Sequence, residues 1–118
     1  MANAGTVERV ELRRADEADR ERLFTWRNQS DLVQLSTRQE TVTWDEHNAW
    51  FTRKLEDDGC RIFIILFDGE PAGQLRFEKA ENGSLDWYVG IYLIEGFRGR
   101  GAGSRALMDG YGRMAAGE

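Results

Sequence analysis

Near its C-terminal end the sequence reads Arg98-Gly99-Arg100-Gly101-Ala102-Gly103-Ser104. An alternating, strand-like segment (residues 85–93) precedes this loop, and a helix-like segment (residues 104–114) follows it. Three glycines in five positions remove side chains where a backbone must approach a ligand closely. The first amides of a helix are unsatisfied and lie at the positive end of its dipole. The loop and its two arginines therefore predict a phosphate or pyrophosphate site; a simple strand-to-helix turn is the alternative.

Two familiar phosphate loops fit this segment less well. A Walker loop ends in Lys-Ser or Lys-Thr, whereas Gly103 is followed by Ser104-Arg105. The residues from Gly101 to Ala106 do fit the G-x-G-x-x-A fingerprint of dinucleotide-binding domains. That fingerprint belongs in a βαβ unit with an acidic residue about 20 positions further on. Because only twelve residues follow Ala106, the sequence favours another kind of phosphate site.

The loop resembles the Q/R-x-x-G-x-G/A signature of the GNAT superfamily of acyl-CoA-dependent N-acyltransferases, which residues 98–103 match in full. Three upstream segments extend the resemblance over nearly the whole chain: Trp26-Arg27-Asn28, His47 with Trp50-Phe51, and the turn at residues 68–73. Together they resemble the branch that acetylates ribosomal-protein N-termini, and more closely the branch that acetylates nucleotide-linked amino sugars.

The resemblance implies acetyl-CoA as the cofactor, with its pyrophosphate on the loop amides and its pantetheine arm along the preceding strand. The residues expected to bind it are Ile91, Tyr92, Leu93, Arg98, Gly99, Arg100, Gly101, Ala102, Gly103 and Ser104. An exposed backbone edge from Ile91 to Leu93 could pair with the pantetheine amides like an added strand. Gly90 suits a bulge or a close approach there. A backbone N–H of this strand would be the oxyanion donor, as the resemblance implies.

The expected acceptor is a primary amine, on a nucleotide-linked amino sugar or a protein N-terminus. In the resembling families, the segment Trp26-Arg27-Asn28 lies beside the acceptor cleft, which makes these the candidate substrate-binding residues. The alternative is a core tryptophan, a helix-capping arginine and a left-handed asparagine. Asp86 is the candidate general base, acting through water, and a solvated or turn-capping carboxylate is its alternative. The family's usual general acid, a tyrosine on a later helix, has no counterpart here.

Composition narrows the class of protein. A chain of 118 residues predicts one domain, and its net charge of −5 argues against nucleic acids or anionic membranes as partners. The single cysteine, Cys60, cannot form an internal disulfide, and no apolar run reaches the roughly 18 residues of a membrane span. A cytoplasmic protein is therefore expected. His47 stands alone without ligand-spaced partners, so no metal site is predicted, and a hydrogen-bonded, half-buried histidine is favoured.

Periodicity and capping patterns predict the order of the elements. They are a strand over residues 7–14, a helix from a capping box of Asp16 and Asp19 to about Asn28, a helix after the capping box of Thr43, strands at 62–67, 71–78 and 85–93, and a last helix at 104–114. Sequential strands joined by short turns make an antiparallel meander, whose two faces the helices must cover.

The predicted fold is thus an α/β (α+β) domain over residues 7–118, after a frayed N-terminus at residues 1–6. It has GNAT-like α–β–α layers and lacks the family's usual C-terminal strands. The outer edge of the strand at 85–93 is therefore expected to be open and to invite self-association. Three functions remain open: an N-acetyltransferase, a CoA-binding module without catalysis, and a nucleotide-binding α/β domain.

Overall fold

The computed structural model of the chain describes residues 9–35, 40–80, 85–99 and 101–117. Its elements in chain order are β1 (Val10–Arg14), a 3₁₀ turn (Glu17–Asp19), α1 (Arg20–Arg27), α2 (Ser30–Leu35), α3 (Trp44–Leu55), β2 (Cys60–Phe67), β3 (Glu70–Lys79), β4 (Trp87–Leu93) and α4 (Ala102–Ala115). The expectations for residues 1–6, for the turn at 81–84 and for Arg100 lie outside the described residues.

The four strands form one antiparallel sheet in the order β1-β2-β3-β4. Its central strand β2 is buried along most of its length, because its apolar centre faces helices on both sides. Leu23 and Phe51, from α1 and α3, pack on one face of the sheet, and Ala106 of α4 packs on the other. The predicted meander and the predicted α–β–α layers are confirmed. The βαβ unit of a dinucleotide-binding domain does not occur among the described strands.

Both predicted capping boxes are present. The side chain of Asp16 accepts a hydrogen bond from the Ala18 amide at 3.0 Å, and Asp19 accepts one from the Asp16 amide at 2.9 Å. Thr43 and Glu46 exchange the corresponding pair at 3.1 and 3.0 Å. These caps satisfy backbone donors at the helix starts, which is why the sequence located the start of α3 correctly.

Small residues set α4 close to the sheet. Ala102, Ala106 and Gly110 are the buried residues of this helix and recur at intervals of four, so they share one face. A Cβ added at Gly110 would lie 2.5 Å from Cδ2 of Leu75 and 3.1 Å from the ring of Phe77. The helix therefore rests directly on β3, and its N-terminal turn is held in a fixed position beside the end of β4.

The irregularity of the sheet lies in β3, not at the predicted position in β4. The β2–β3 register shifts where Ile65 pairs with Gly73 and Leu66 pairs with Pro71, which leaves Ala72 as the additional residue. β4, by contrast, pairs with β3 without a shift from Trp87 to Leu93. Of the two alternatives predicted for Gly90, a bulge or a close approach, the bulge does not occur in the β3–β4 ladder. The close backbone approach is made by Gly73, whose added Cβ would lie 2.2 Å from the Tyr92 carbonyl oxygen.

Cys60 is the first residue of β2 and is buried. Burial raises the pKa of its thiol to about 11, so the thiolate that a nucleophile requires is scarce at neutral pH. Among the described residues, no group of three or more His, Cys, Asp or Glu side chains is placed to hold a metal ion.

None of the described helices combines the length and hydropathy needed to cross a membrane.

Candidate active site

A pocket of about 370 Å³ lies between the end of β4, the start of α4 and the short helix α2. Its walls are Leu32, Ile91, Tyr92, Leu93, Arg98, Gly103, Ser104 and Leu107. Six of these were predicted as cofactor-binding residues, while Leu32 and Leu107 were not. Of the other predicted residues, Gly99, Gly101 and Ala102 belong to the adjoining loop and helix start without lining the pocket. Arg100 lies outside the described residues.

The start of α4 is open to an anion. Gly101 is its N-cap, adopts a left-handed conformation with φ of +77°, and makes no side-chain cap. The first intrahelical bond runs from the Arg105 amide to the Gly101 carbonyl at 3.2 Å. The amides of Ala102, Gly103 and Ser104 therefore have no acceptor within the helix and lie at its positive end. Gly103 and Ser104 also form part of the pocket wall.

The backbone of β4 presents alternate residues to the pocket side. The Asp86 carbonyl accepts from the Ala80 amide at 2.9 Å, and the Ile94 amide donates to the Ala72 carbonyl at 2.8 Å. In an antiparallel ladder the residues that bond one neighbour alternate along the strand. Even-numbered residues of β4 therefore face β3, and odd-numbered residues face outward. The predicted pantetheine edge thus consists of Ile91 and Leu93.

The backbone of Tyr92 was also predicted to be available to the cofactor, but it faces β3. This residue pairs with Gln74 in the β3–β4 ladder, so its backbone groups face β3 and are not free for a cofactor. Tyr92 is nevertheless one of the residues of the pocket wall.

Arg98 fixes the loop to two other elements. Its Nε donates to the Leu93 carbonyl at 2.7 Å, and its Nη2 lies 2.5 Å from a carboxylate oxygen of Asp31 in α2. This hydrogen-bonded ion pair lowers the pKa of Asp31. The guanidinium therefore lies at the pocket wall with its Nε and Nη2 already bonded. A bound phosphate would share it with Asp31.

Comparison with known proteins identifies the class to which this geometry belongs. A sequence profile described as the acetyltransferase (GNAT) domain matches residues 9–109. The chain belongs to the GNAT family of acetyltransferases. It is therefore an acyl-CoA-dependent N-acetyltransferase domain, and acetyl-CoA is the cofactor of its family. Among curated protein sequences, none matches the chain significantly.

Solved structures share the fold of this GNAT domain. An acetyltransferase from Thermus thermophilus aligns at 23% identity and a TM-score of 0.73, over 96% of this chain and 71% of its own. RimL, a ribosomal L7/L12 alpha-N-protein acetyltransferase in complex with coenzyme A, aligns at 28% identity and a TM-score of 0.67, over 91% and 66%. A spermidine N-acetyltransferase from Vibrio cholerae, in complex with CoA and spermine, aligns at 16% and 0.67, over 84% and 59%.

The predicted acceptor residues of the GNAT domain lie on the sheet face opposite α4. Trp26 is buried and packs edge-to-face against Tyr92, with ring centroids 6.3 Å apart. The guanidinium of Arg27 lies 4.6 Å from the ring centroid of Trp50. The Tyr92 hydroxyl donates to Gln74 at 3.4 Å, and burial raises the pKa of this phenol well above its ordinary value. Trp26 therefore contacts the pocket wall through Tyr92, whereas Arg27 and Trp50 are not among the residues that line the pocket.

Asn28 does not adopt the left-handed conformation of the alternative interpretation, since its φ is −99°. Its side-chain amide donates to the Val42 carbonyl at 2.9 Å and accepts from the Val42 amide at 2.8 Å. Asn28 thus fixes the segment that leads into α3. The sequence offered no signal for this pairing, because the two residues are fourteen positions apart in an irregular region.

The structure does not bring Asp86 together with the pocket. Asp86 is exposed and precedes β4, and at about 3.3 Å per residue it lies roughly 17 Å along the strand from Ile91. The carboxylate of Glu78, on the neighbouring strand β3, forms salt bridges with Lys54 at 3.1 Å and with Arg76 at 2.6 Å. The described residues that line the pocket include no carboxylate and no histidine to serve as a general base.

His47 is fully buried rather than half-buried, and it is hydrogen-bonded as expected. Its Nε2 donates to the Arg20 carbonyl at 2.8 Å, and its Nδ1 lies 3.4 Å from Nη1 of Arg27. Burial, reinforced by these two arginines, lowers the pKa of His47. The histidine therefore supports α1 and α3 in its neutral form.

This depressed pKa predicts a pH dependence of stability. The unfolded chain, with a histidine pKa of about 6.5, binds the proton more tightly than the folded domain. The free energy of unfolding should therefore be constant above about pH 6.5 and fall as the pH drops below it. Urea unfolding between about pH 5.5 and 8 measures this. The same slope in a folded His47→Gln variant would contradict the assignment, since His47 is the chain's single histidine.

Proposed function

We propose that this GNAT domain transfers the acetyl group of acetyl-CoA to a primary amine carried by a nucleotide-linked amino sugar or by a protein N-terminus. The observation that carries the proposal is the pocket between β4 and α4. It joins, in one cavity, the uncapped amides of a helix start and an outward strand edge. The first feature suits a pyrophosphate, and the second suits the amides of an extended pantetheine arm.

Different groups of the chain are candidates for binding the pyrophosphate and the pantetheine arm. The amides of Gly103 and Ser104 are candidates for the pyrophosphate oxygens, with Arg98 as a shared cation. The outward N–H groups of Ile91 and Leu93 are candidates for donating to the carbonyl oxygens of the arm. Leu32 and Leu107 supply apolar walls to the cavity. When bound, acetyl-CoA supplies an activated thioester.

The acceptor is proposed to approach from the side of Trp26 and Arg27. This assignment is supported by the contact of Trp26 with Tyr92, a residue of the pocket wall, and by the stacking of the adjacent Arg27 on Trp50. The sequence motifs favour an amino sugar, whereas the 28% identity to RimL, a protein N-terminal acetyltransferase, favours a peptide amine. Both acceptors carry a primary amine on a polar molecule. Measuring turnover with each of them distinguishes the two.

Titration with acetyl-CoA, CoA and NAD, followed by backbone amide chemical shifts, tests the cofactor site. We expect acetyl-CoA and CoA to shift residues 91–93 and 98–104 and NAD to leave them unchanged. Turnover is then measured with a nucleotide-linked amino sugar and with a peptide that has a free N-terminus. Binding of CoA without turnover of either amine would indicate a CoA-binding module, and shifts with NAD alone would contradict the cofactor assignment.

Replacing Arg27 with glutamine should impair acceptor use while leaving acetyl-CoA affinity within a factor of about two, because the two sites are separate and their effects additive. The matched control is Arg53→Gln, which removes an exposed arginine of α3. Steady-state kinetics measures the KM for the amine, and calorimetry measures cofactor affinity. Loss of cofactor binding in a stable Arg27 variant would contradict this division of roles.

Asn28→Ala should also impair acceptor use, but indirectly. The substitution removes both hydrogen bonds to Val42 and releases the segment before α3. Hydrogen exchange should therefore rise at residues 40–43 in this variant and remain unchanged there in Arg27→Gln. Equal protection of that segment in both variants would show that Asn28 does not hold it.

A further inference from the structure

The ion pair between Asp31 and Arg98 connects the cofactor pocket with the short helix α2. Arg98 lines the pocket proposed for acetyl-CoA. Asp31 lies 2.5 Å from its guanidinium and lines a different cavity of about 410 Å³, together with Gln29, Ile94 and Glu95. The guanidinium is therefore the cation at which an anion in the pocket and a carboxylate of α2 would meet.

The carboxylate of Asp31 depends on Arg98 to compensate its charge. The oxygen that faces Arg98, Oδ2, is shielded from solvent and has no other hydrogen-bond partner among the described residues. A carboxylate oxygen that stays out of water and loses its cation is strongly unfavourable. Weakening of the ion pair therefore favours a movement of Asp31 toward water, and Asp31 is part of α2.

The position of α2 depends on its tertiary contacts. The helix has six residues, and a helix this short is not stable in isolation. Leu32 belongs to the same buried cluster as Trp26, and the Val33 amide donates to the Gln29 carbonyl at 2.9 Å. Asp31 adds its ion pair to these contacts. Weakening the pair should therefore loosen α2 while the domain stays folded.

We propose that Asp31 competes with the pyrophosphate of the cofactor for Arg98, so that acetyl-CoA binding weakens the Asp31–Arg98 pair and loosens α2. A phosphate on this guanidinium would bring negative charge beside the Asp31 carboxylate, and like charges in close approach repel each other. The Nε of Arg98 donates to the Leu93 carbonyl at 2.7 Å, which keeps the guanidinium at the pocket wall. The carboxylate, which is carried by the short helix, is therefore the group that moves. This inference rests on the cofactor site proposed above.

The competition and the loosening of α2 are reciprocal. If acetyl-CoA weakens the ion pair, then removal of the ion pair must strengthen acetyl-CoA binding. Asp31 is thus a positioning residue that supports α2 and opposes the cofactor. A purely structural role would have the opposite sign, because the loss of a supporting contact beside the pocket would weaken cofactor binding. The direction of the change in affinity therefore distinguishes the two roles.

Calorimetric titration with CoA tests the competition. Asp31→Asn keeps the shape of the side chain and removes its charge, so CoA should bind roughly 2- to 5-fold more tightly, the range of a partly exposed ion pair. The matched control is Glu95→Gln, which removes an equal charge from the same second cavity and should change the affinity less. In an Arg98→Gln background, Asp31→Asn should no longer strengthen binding, because the cation for which Asp31 competes is absent.

Hydrogen exchange tests the loosening of α2. Acetyl-CoA should speed the exchange of the Val33 and Gln34 amides in the wild type. In Asp31→Asn, with an equal circular dichroism spectrum, these amides should already exchange fast and change little when the cofactor binds. Slower exchange of α2 with acetyl-CoA, or CoA binding that Asp31→Asn does not strengthen, would overturn the inference alone. Equal CoA affinity in the wild type and Arg98→Gln would overturn both the inference and the role of Arg98 in the proposed cofactor site.

Discussion

Gly73→Ala is expected to destabilise the domain by roughly 3 kcal/mol, at the upper end of the cost of overpacking. The new Cβ would lie 2.2 Å from the Tyr92 carbonyl oxygen and 3.0 Å from the Leu93 Cα. Both are backbone atoms, so no side-chain rotation can relieve the contact. β4 must instead move away from β3. Because Leu93 forms part of the pocket wall, affinity for acetyl-CoA should fall together with stability.

The matched control for this prediction is Gly90→Ala, in the adjacent strand. Its Cβ would meet only Nη2 of Arg76, at 3.8 Å, an ordinary contact with the flexible end of a side chain. Stability should change by about 1 kcal/mol or less, in either direction, because glycine is itself unfavourable within a strand. Urea unfolding of both variants measures the difference. Equal midpoints would show that β3 and β4 are not in close approach at Gly73.

Local sequence patterns were sufficient to predict most of the fold. The capping box of Thr43 located the start of α3, and the apolar segment at 62–67 located the central strand, because each pattern encodes its own hydrogen bonds or burial. The turn from β4 into α4 was predicted for the same reason. Its glycines precede a helix start, and the left-handed Gly101 is the N-cap of that helix.

Contacts between distant segments could not be predicted from periodicity. The ion pair of Arg98 with Asp31 joins residues 67 positions apart. The hydrogen bond from Asn28 to Val42 joins residues on either side of an irregular segment. Asp19 was expected only as a capping residue. It is fully buried, and Arg13 and Arg22 both donate to its carboxylate. Such contacts depend on how elements dock, which no local pattern records.

The choice between a bulge and a close approach at Gly90 could not be made from sequence, for a related reason. A glycine within a strand indicates either a bulge or a close approach, and the chain has two, Gly73 in β3 and Gly90 in β4. Sequence alone does not show which strand carries the additional residue, because the shift depends on the register of β2 against β3. The register places it at Ala72, next to Gly73.

Gly101→Val is expected to weaken acetyl-CoA binding by about 1–3 kcal/mol, which is roughly 5- to 150-fold, while the domain stays folded. A Cβ at this position meets nothing within 4 Å, so the protein itself does not clash with the new side chain. The strain comes from the φ of +77° at this position, a conformation that is strongly unfavourable for a β-branched residue. Relief of this strain rotates the first amides of α4 away from the pocket, and the added methyl groups obstruct an approaching phosphate.

Two further variants separate these causes. Gly101→Asn tolerates the left-handed conformation, so it should lose less affinity than Gly101→Val and shows the effect of bulk without most of the strain. Gly117→Val imposes the same strain at the far end of α4, where φ is +81° and no atom lies within 4 Å of the added Cβ. It should leave affinity unchanged. Calorimetric titration of acetyl-CoA measures all three variants. Wild-type affinity in a folded Gly101→Val domain would show that the cofactor's phosphates do not bind at the start of α4.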